Sequence, residues 1–239
     1  MNSNTLSTRL ERVAQFVKKY GQKPIRLTDI GSDHAYLPCN LVLNNVIEYG
    51  IAGEVVEGPF VTAKKEVRLQ GLEDSIDVRF GDGFEVVNLN DLINMATICG
   101  MGGVLIRNIL NSGVSKLVSG HTLVLQPNVA EPQLRSWLIQ NNYHIIDEDI
   151  VQEHKHSYEI IVAKHNPEIN KQALSDKELL FGPINYKNQS KEFFLKWESE
   201  LKNTEQIIKS IKLASRHNSD KLEELELKYQ LIKEVLTNE

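Results

Sequence analysis

Two acidic residues flank a glycine in segment 27–38, which reads LTDIGSDHAYLP. The apolar start of this segment predicts a short strand that breaks at Gly31 into a loop carrying Asp33 and His34. A strand–glycine–helix turn of this kind lets a ligand approach the backbone beyond the carboxyl end of the strand. Asp29 and Asp33 would repel a pyrophosphate but could hold a cationic amino-acid group, which indicates S-adenosylmethionine. An ordinary strand–helix turn with an aspartate cap is the alternative interpretation.

The same segment excludes the two commonest nucleotide sites. It has one glycine where a dinucleotide fold has G-x-G-x-x-G, and no G-K-[ST] sequence of a phosphate loop follows it. A nicotinamide-dependent dehydrogenase is therefore a poor interpretation of this chain.

Acidic residues also close the next two predicted strands. Glu54 ends the sequence IAGE, where a carboxylate could accept hydrogen bonds from ribose hydroxyls, as in dinucleotide folds. Asp82 lies between Gly81 and Gly83, where it could accept from an adenine amino group while the glycines let the ring pack on backbone. A charged strand end and a simple turn are the alternative interpretations of these two sites.

The sequence CGMGG follows the fourth predicted strand. Its glycines leave little to pack, which indicates that a ligand comes close to the backbone there. The backbone carbonyls of Gly100 and Met101 are candidates for holding a target nitrogen, and Cys99 is expected beside the cofactor. After the fifth predicted strand, the amides of Gln126 and Asn128 could hydrogen-bond a purine edge in both directions. A simple capping role is the alternative for Asn128.

The bulk composition is that of a globular protein with one good core and an appendage. The chain has 239 residues, of which 41% are hydrophobic and 25% charged, and its net charge is −5. No apolar run approaches the ~18 residues of a membrane span, and residues 1–5 lack the apolar core of a signal peptide. Cys39 and Cys99 make no metal framework, so we expect free thiols, no metal, no membrane and a cytoplasmic location.

Basic residues concentrate in two stretches despite the negative net charge. Residues 1–26 hold six basic residues against Glu11 alone, a net charge of +5, and residues 202–217 carry a net charge of +3. Such stretches can neutralise phosphates even in an acidic protein. The candidates for RNA contact on the first helix are Arg9, Arg12, Lys18 and Lys19. A solvated helix face is the alternative interpretation.

Helix and strand patterns alternate through the first two thirds of the chain. Helices are predicted over 6–20, 37–48, 60–71, 103–110 and 131–141. Strands are predicted over 25–30, 51–56, 76–80, 95–99, 121–126, 143–149 and 157–163. This alternation predicts an α/β fold with a mainly parallel sheet, to which the last two strands add an antiparallel hairpin. That topology is typical of Rossmann-like class I methyltransferases.

Residues 166–239 differ in character from residues 1–165. Apolar residues recur there at helical spacing in two stretches, on either side of the polar sequence HNSD at 217–220. We therefore predict an S-adenosylmethionine-binding methyltransferase domain over 1–165 and an α-helical, coiled-coil-like hairpin domain over 166–239.

The motifs at the strand ends, in their order along the chain, resemble those of the bacterial TrmK family of tRNA (adenine-22-N1)-methyltransferases. The resemblance covers residues 6–165 closely and continues more loosely into the helical tail, which that family also has. The sequences that carry it are DIGSDHAYLP, GEVVEGP, GDG, ICGMGG, LQPN and YEI. DIGSDHAYLP and CGMGG in this order are far more specific than a generic glycine motif.

The resemblance implies methyl transfer from S-adenosylmethionine to N1 of an adenine in tRNA. N1 has an in-plane lone pair and can attack directly, so alignment would supply most of the rate enhancement. The base must leave its stack first, because N1 lies on the pairing edge. The implied cofactor contacts are Gly31, Asp33, His34, Glu54, Asp82 and Gly83, with Cys99 beside them. The catalytic candidates are Asp29, Gly100, Met101 and Asn128, and the sequence does not choose which of them orients adenine N6.

Two other functions remain open at this point. A methyltransferase of another RNA, a protein or a small molecule would keep the fold and change the substrate. A non-catalytic RNA-binding or cofactor-sensing protein could use the same fold, although the intact cofactor motifs argue against it. The sequence leaves the oligomeric state undetermined.

Overall fold

The computed structural model describes residues 2–117, 120–168, 172–213 and 219–237. The strands are β1 (Arg26–Ile30), β2 (Tyr49–Glu54), β3 (Ile76–Phe80), β4 (Met95–Met101), β5 (Thr122–Pro127), β6 (Tyr143–Glu153) and β7 (His156–His165). The helices are α1 (Thr8–Tyr20), α2 (Tyr36–Leu43), α3 (Glu57–Leu69), α4 (Gly103–Ser112), α5 (Glu131–Gln140), α6 (Asp176–Phe181), α7 (Pro183–Asn188), α8 (Lys191–Leu213) and α9 (Ser219–Thr237).

The strands form a seven-stranded sheet in the order β3-β2-β1-β4-β5-β7-β6. The first five strands along the chain pair in parallel, and β7 pairs antiparallel with both β5 and β6. The order reverses between β1 and β4, and ligands of such sheets bind outside the carboxyl ends of the strands at this reversal. The predicted Rossmann-like fold with a terminal antiparallel hairpin is confirmed.

The predicted elements occur with shifted ends. Helix α2 ends at Leu43, five residues before the predicted end, because Asn45 takes a left-handed φ of 55° that closes the helix. Strand β2 starts at Tyr49 and ends at Glu54, two residues earlier than predicted at each end. Its end comes early because α3 already begins at Glu57.

Helices cover both faces of the sheet, so the apolar side chains of a central strand alternate between two cores. On β5, Leu123 and Leu125 join the core that includes Ile106 of α4. Val124 points to the opposite face, where it joins the core that includes Phe16 of α1. Helix α1 is therefore packed on the sheet, so the positions of its basic residues are fixed by the core.

A buried ion cluster joins α5, β6 and β7. Arg135 is fully buried, and its Nε donates to Glu148 Oε1 at 2.8 Å while its Nη2 donates to Glu159 Oε2. Its Nη1 donates to the carbonyls of Leu179 and Leu180 at 3.0 and 3.3 Å. The guanidinium thereby ties α6 to the sheet.

The chain divides into two compact units, Met1–Ile184 and Asn185–Glu239. The division falls later than the boundary after residue 165 that the sequence predicts. The physical reason is the set of Arg135 contacts with α6, which keeps this segment with the first unit. Sequence patterns give no sign of these contacts, because an arginine on an amphipathic helix ordinarily faces solvent.

Helices α8 and α9 pack on each other in the second unit. Lys228 pairs with Glu200 at 2.8 Å and Lys212 with Glu226 at 2.6 Å, so partners on the two helices run in opposite directions. This arrangement is the predicted antiparallel helical hairpin. Of its predicted turn, positions 217 and 218 lie outside the described residues, and the next two residues begin α9.

We expect Arg135→Ala to lower the free energy of unfolding by about 3–5 kcal/mol, because it removes the buried cation that pairs with Glu148 and Glu159. Denaturant titration followed by circular dichroism measures this quantity. Arg12→Ala is the control, because its ion pair with Asp149 is about one third exposed and should contribute about 1 kcal/mol or less. Equal losses for the two variants would contradict the assigned role of the cluster.

Candidate active site

The loop that follows β1 has an unusual backbone. Gly31 has a φ of 68°, and three successive non-glycine residues, Asp33, His34 and Ala35, have φ values of 43°, 70° and 57°. Such conformations persist only where surrounding contacts hold them, and they concentrate at functional sites. The amide of Gly31 donates to the carbonyl of Gly53 at 2.9 Å, which fixes the start of the loop to β2.

Glu54 holds the next part of this loop from the end of β2. The residue is 6% exposed, and its Oε1 accepts from the amide of Asp33 at 2.5 Å. Burial raises the pKa of the Glu54 carboxyl, and the nearby charges of Asp29 and Asp33 raise it further. No described residue donates to Oε2, so this oxygen can accept a hydrogen bond from a ligand hydroxyl.

Asp29 connects β1, its loop and β4. Its Oδ2 accepts from the Ser32 hydroxyl at 2.6 Å, and its Oδ1 accepts from the Thr97 hydroxyl at 2.5 Å. The residue is 3% exposed, and burial raises the pKa of its carboxyl. The sequence offers Asp29 as a catalytic candidate, and in the structure both of its oxygens already hold neighbouring hydroxyls.

The glycine loop at the end of β4 is held by hydrogen bonds to its backbone groups. Gly100 has a φ of 77° at a register shift between Cys99 and Met101, and its amide donates to Gln126 Oε1 at 3.0 Å. Asn128 Nδ2 donates to the Gly100 carbonyl and the Asn128 amide to the Met101 carbonyl, both at 2.8 Å. Each of these two carbonyls thus accepts one hydrogen bond and retains a second lone pair.

Gln126 organises this loop from below. The side chain is fully buried, and its Nε2 donates to the carbonyl of Pro127 at 2.9 Å and to Asn128 Oδ1 at 3.0 Å. Its Oε1 accepts from the Gly100 amide and from Arg9 Nη1. The sequence predicts that this amide faces a purine, whereas in the structure it holds Asn128 and the Gly100 amide in place. In the sequence, the sign of this role is a polar glutamine directly after the apolar run LVL.

A cavity of about 280 Å³ opens between the loops after β1 and β4. Carboxylates and a guanidinium both line it, so the cavity carries both signs of charge. Its lining residues are Arg9, Leu10, Asp29, Gly31, Ser32, Asp33, Leu37, Cys99, Gly100 and Met101. Six of the predicted cofactor-binding and catalytic residues therefore meet in one cavity.

Asp82 and Gly83 line a second cavity, of about 510 Å³, between the end of β3 and helix α4. Gly81 donates its amide to the Glu54 carbonyl at 2.9 Å, which joins the end of β3 to the end of β2. The predicted adenine site and the predicted ribose site are therefore adjacent along the edge of the sheet.

His34 and Cys99, two further predicted cofactor contacts, are both partly exposed. His34 Nε2 lies 3.3 Å from Asp33 Oδ1, and its ring stacks on Tyr36 with centroids 5.2 Å apart. Cys99 stands in the cavity wall, and burial raises the pKa of its thiol, which is therefore protonated at neutral pH. Cys39 is buried, and both cysteines are free thiols.

The structure separates the four basic residues predicted to contact RNA. Arg12 and Lys19 pair with aspartates of β6 at 2.5 and 2.9 Å, and Lys18 is exposed with no acidic partner among the described residues. Arg9 turns away from them and reaches the cavity. Two of the four side chains thus lie against β6, Lys18 is exposed, and Arg9 belongs to the wall of the candidate site.

In the described ranges, no helix has the length and apolar character needed to cross a membrane. No group of three or more His, Cys, Asp or Glu side chains in these ranges could hold a metal ion.

Comparison with known sequences finds one family along most of the chain. The profile described as TrmK, tRNA (adenine(22)-N(1))-methyltransferase, matches residues 27–234. The tRNA (adenine(22)-N(1))-methyltransferase of Bacillus subtilis is 40% identical over 243 residues, which cover 99% of each chain.

Solved structures show the same similarity. The Bacillus subtilis m1A22 tRNA methyltransferase TrmK has a TM-score of 0.85 and 38% identity, over 98% of this chain and 99% of that one. A Streptococcus pneumoniae protein in complex with S-adenosyl-L-methionine has a TM-score of 0.86 and 40% identity, over 97% of this chain and all of that one. The M. capricolum TrmK in complex with S-adenosylhomocysteine has a TM-score of 0.80 and 30% identity, over 97% of this chain and 98% of that one. The chain described here belongs to the TrmK family of tRNA (adenine(22)-N(1))-methyltransferases.

Proposed function

We propose that this chain carries out its family's reaction, methyl transfer from S-adenosylmethionine to N1 of adenine 22 in tRNA, at the cavity between β1 and β4. The observation that carries the proposal is the left-handed loop after β1, held by Glu54 beside a cavity with both signs of charge. S-adenosylmethionine fits this cavity because it bears an ammonium, a sulfonium and a carboxylate and no phosphate. Asp29 and Asp33 would disfavour a pyrophosphate there.

The residues that would hold the cofactor lie at the carboxyl ends of four neighbouring strands, β3, β2, β1 and β4. We assign the ribose hydroxyls to Glu54 Oε2 and the adenine amino group to Asp82, since these groups lie at the ends of β2 and β3. The remaining proposed contacts are Gly31, Asp33, His34, Gly83 and Cys99.

The bound cofactor supplies an electrophilic methyl group, and adenine N1 needs no base to attack it. The task of the protein is therefore to align the purine. Asn128 is suited to this task because Gln126 and the Gly100 carbonyl fix its amide while it remains exposed at the rim. The second lone pairs of the Gly100 and Met101 carbonyls are the proposed acceptors for N6. Asp29 fixes the loop after β1 to β4 through its hydrogen bonds with Ser32 and Thr97.

The proposed tRNA contact lies on α1, at Arg12, Lys18 and Lys19. Lys18 is free of acidic partners among the described residues, whereas Arg12 and Lys19 would share their charge with β6. The target base has to leave its stack to present N1, and phosphate contacts beside the site would hold the opened RNA. We place the protein in the cytoplasm together with this substrate.

Incubation of the purified chain with S-adenosylmethionine and a tRNA transcript tests the proposed reaction. We expect 1-methyladenosine by nucleoside mass spectrometry, and none in a matched transcript with guanine at position 22. Equal methylation of both transcripts would contradict the site of reaction, and methylation of protein alone would contradict the substrate.

We expect Glu54→Ala to weaken S-adenosylhomocysteine binding by about 1–3 kcal/mol, because a charge-assisted acceptor is lost and the Asp33 amide loses its partner. Isothermal calorimetry measures this change. Glu73→Ala is the matched control, since this exposed glutamate precedes β3 at the opposite end of the strands. Wild-type affinity in Glu54→Ala would remove this residue from the site.

The pH dependence of the same affinity gives a second readout. Burial raises the Glu54 pKa, so the wild-type carboxylate is protonated, and its acceptor role lost, as the pH falls through this raised value. Cofactor affinity should therefore fall toward acidic pH in the wild type and lose that component in Glu54→Ala. Parallel pH profiles of the two proteins would contradict the assignment.

For the RNA contact, we expect Lys18→Glu to raise the KM for tRNA and to reduce the salt dependence of binding by about one phosphate contact. Filter binding at several salt concentrations measures the slope. Lys65→Glu reverses an exposed lysine on α3 and should leave the slope unchanged. The same slope in Lys18→Glu as in the wild type would exclude this face of α1.

A further inference from the structure

The hairpin formed by β6 and β7 extends beyond the carboxyl end of its neighbour β5. The pairing between β5 and β7 ends at Leu125 and Ile161, and β5 itself ends two residues later. On this side β7 has five further residues, 156–160, which pair with residues 149–153 of β6. About three residues of the hairpin therefore pass the end of β5, a length of roughly 10 Å. The tip stands at the edge of the sheet that carries the candidate active site.

Contacts of both strands fix the hairpin beside that site. The Arg9 guanidinium, whose Nη1 donates to Gln126 Oε1, lies 5.3 Å from the centre of the Tyr158 ring. The ring of Tyr158 is 6.3 Å from that of His156, centre to centre, two residues nearer the tip. On the other strand, Glu153 Oε2 accepts from the Arg9 amide at 2.9 Å. A row of side chains thus leads from the wall of the site to the tip of the hairpin.

The tip is a short turn held by its own pairing. Glu153 and His156 are the last paired residues, which leaves a loop of two residues, His154 and Lys155. His154 has a left-handed φ of 56°. Behind the turn, Gln152 Nε2 donates to the Ser157 hydroxyl at 2.6 Å. The side chains at the tip therefore project from a fixed backbone.

Three successive side chains at the tip bear nitrogen groups. His154, Lys155 and His156 are all exposed, and none of them has an acidic partner in the part of the chain that the structure describes. An ammonium group neutralises a phosphate, and imidazoles stack on unpaired bases and donate hydrogen bonds to them. A protein interface would instead centre on apolar and aromatic groups with little charge. The chemistry of the tip favours a single strand of RNA.

The position of the tip suits the RNA beside the reacting base. Asn128, the proposed aligning residue, directly follows the last residue of β5, so the hairpin rises next to it on the adjacent strand. An adenine that leaves its stack to present N1 exposes the faces of the neighbouring bases and needs its strand held open. A cation and aromatic rings at this height can supply both contacts.

We propose that the tip formed by His154, Lys155 and His156 binds the tRNA strand that flanks the extruded adenine. Lys155 contacts a phosphate of that strand, and the imidazole rings stack on a base beside the gap. The inference rests on the proposed function and adds a contact at the catalytic edge of the sheet, separate from the contact proposed on α1.

The phosphate contact is tested by the salt dependence of tRNA binding. In Lys155→Gln we expect the slope of log affinity against log salt concentration to fall by about 0.7–0.9, the value of one phosphate contact. Lys164→Gln is the matched control, because Lys164 lies on the same strand but pairs with Thr122 at the opposite end of β5. It should leave the slope unchanged, and filter binding measures both variants.

The stacking contact is tested with His156→Ala. We expect kcat/KM for tRNA to fall by about 5- to 100-fold, the loss typical of one stacked base. A transcript with 2-aminopurine at position 22 reports extrusion, because this base fluoresces more strongly outside its stack. With saturating protein and S-adenosylhomocysteine, the fluorescence rise should be smaller in His156→Ala than in the wild type.

Cofactor binding separates an RNA contact from a structural effect. Calorimetry should give wild-type affinity for S-adenosylhomocysteine in both variants, and a loss of this affinity would overturn the proposal. An unchanged salt slope in Lys155→Gln, or unchanged kcat/KM and fluorescence in His156→Ala, would also overturn it and leave the tip to a different partner, such as a protein. If the wild type forms no 1-methyladenosine in tRNA, the proposed function fails, and this inference fails with it.

Discussion

Backbone groups that leave the end of a strand lose their sheet partners, and the candidate site depends on how this chain replaces them. After β1 the replacement acceptor for the Asp33 amide is Glu54, and at the register shift near the end of β4 the acceptor for the Gly100 amide is Gln126. Both acceptors are buried side chains at the ends of neighbouring strands. The two loops that bound the cavity are therefore held by the sheet itself.

This arrangement has an energetic cost that a purely structural sheet would avoid. Burial raises the pKa of Asp29 and Glu54, so their ionised forms are less favourable in the folded chain than in the unfolded one. Above these raised pKa values the two carboxylates lower stability. Glu148 and Glu159 are also buried, but Arg135 lies between them and offsets their charge. Asp29 and Glu54 have no such ion pair among the described residues, which indicates that they are kept for the site.

The sequence predicts those features that depend on local pattern. Strand and helix alternation predicts a mainly parallel sheet with a terminal antiparallel hairpin, and the glycine and acidic residues at strand ends mark Gly31, Glu54 and Asp82 as candidates for the site. The direction of Arg9 could not be obtained in this way, because it depends on how α1 crosses β5 and β7. The place of α6 in the first unit depends likewise on Arg135. Its carboxylate partners are 13 and 24 residues away along the chain, and the carbonyl of Leu179 in α6 is 44 residues away.

We expect the hydrogen bonds that Glu54 and Gln126 accept to form the cavity before any ligand binds. Residue-resolved amide hydrogen exchange by NMR on the ligand-free protein tests it most directly at Asp33 and Gly100. We predict that both amides exchange slowly without cofactor, as the paired amides of β1 do, because Glu54 and Gln126 already accept from them. Exchange of these two amides at the rate of an unstructured chain, slowing only when S-adenosylhomocysteine is added, would contradict the account.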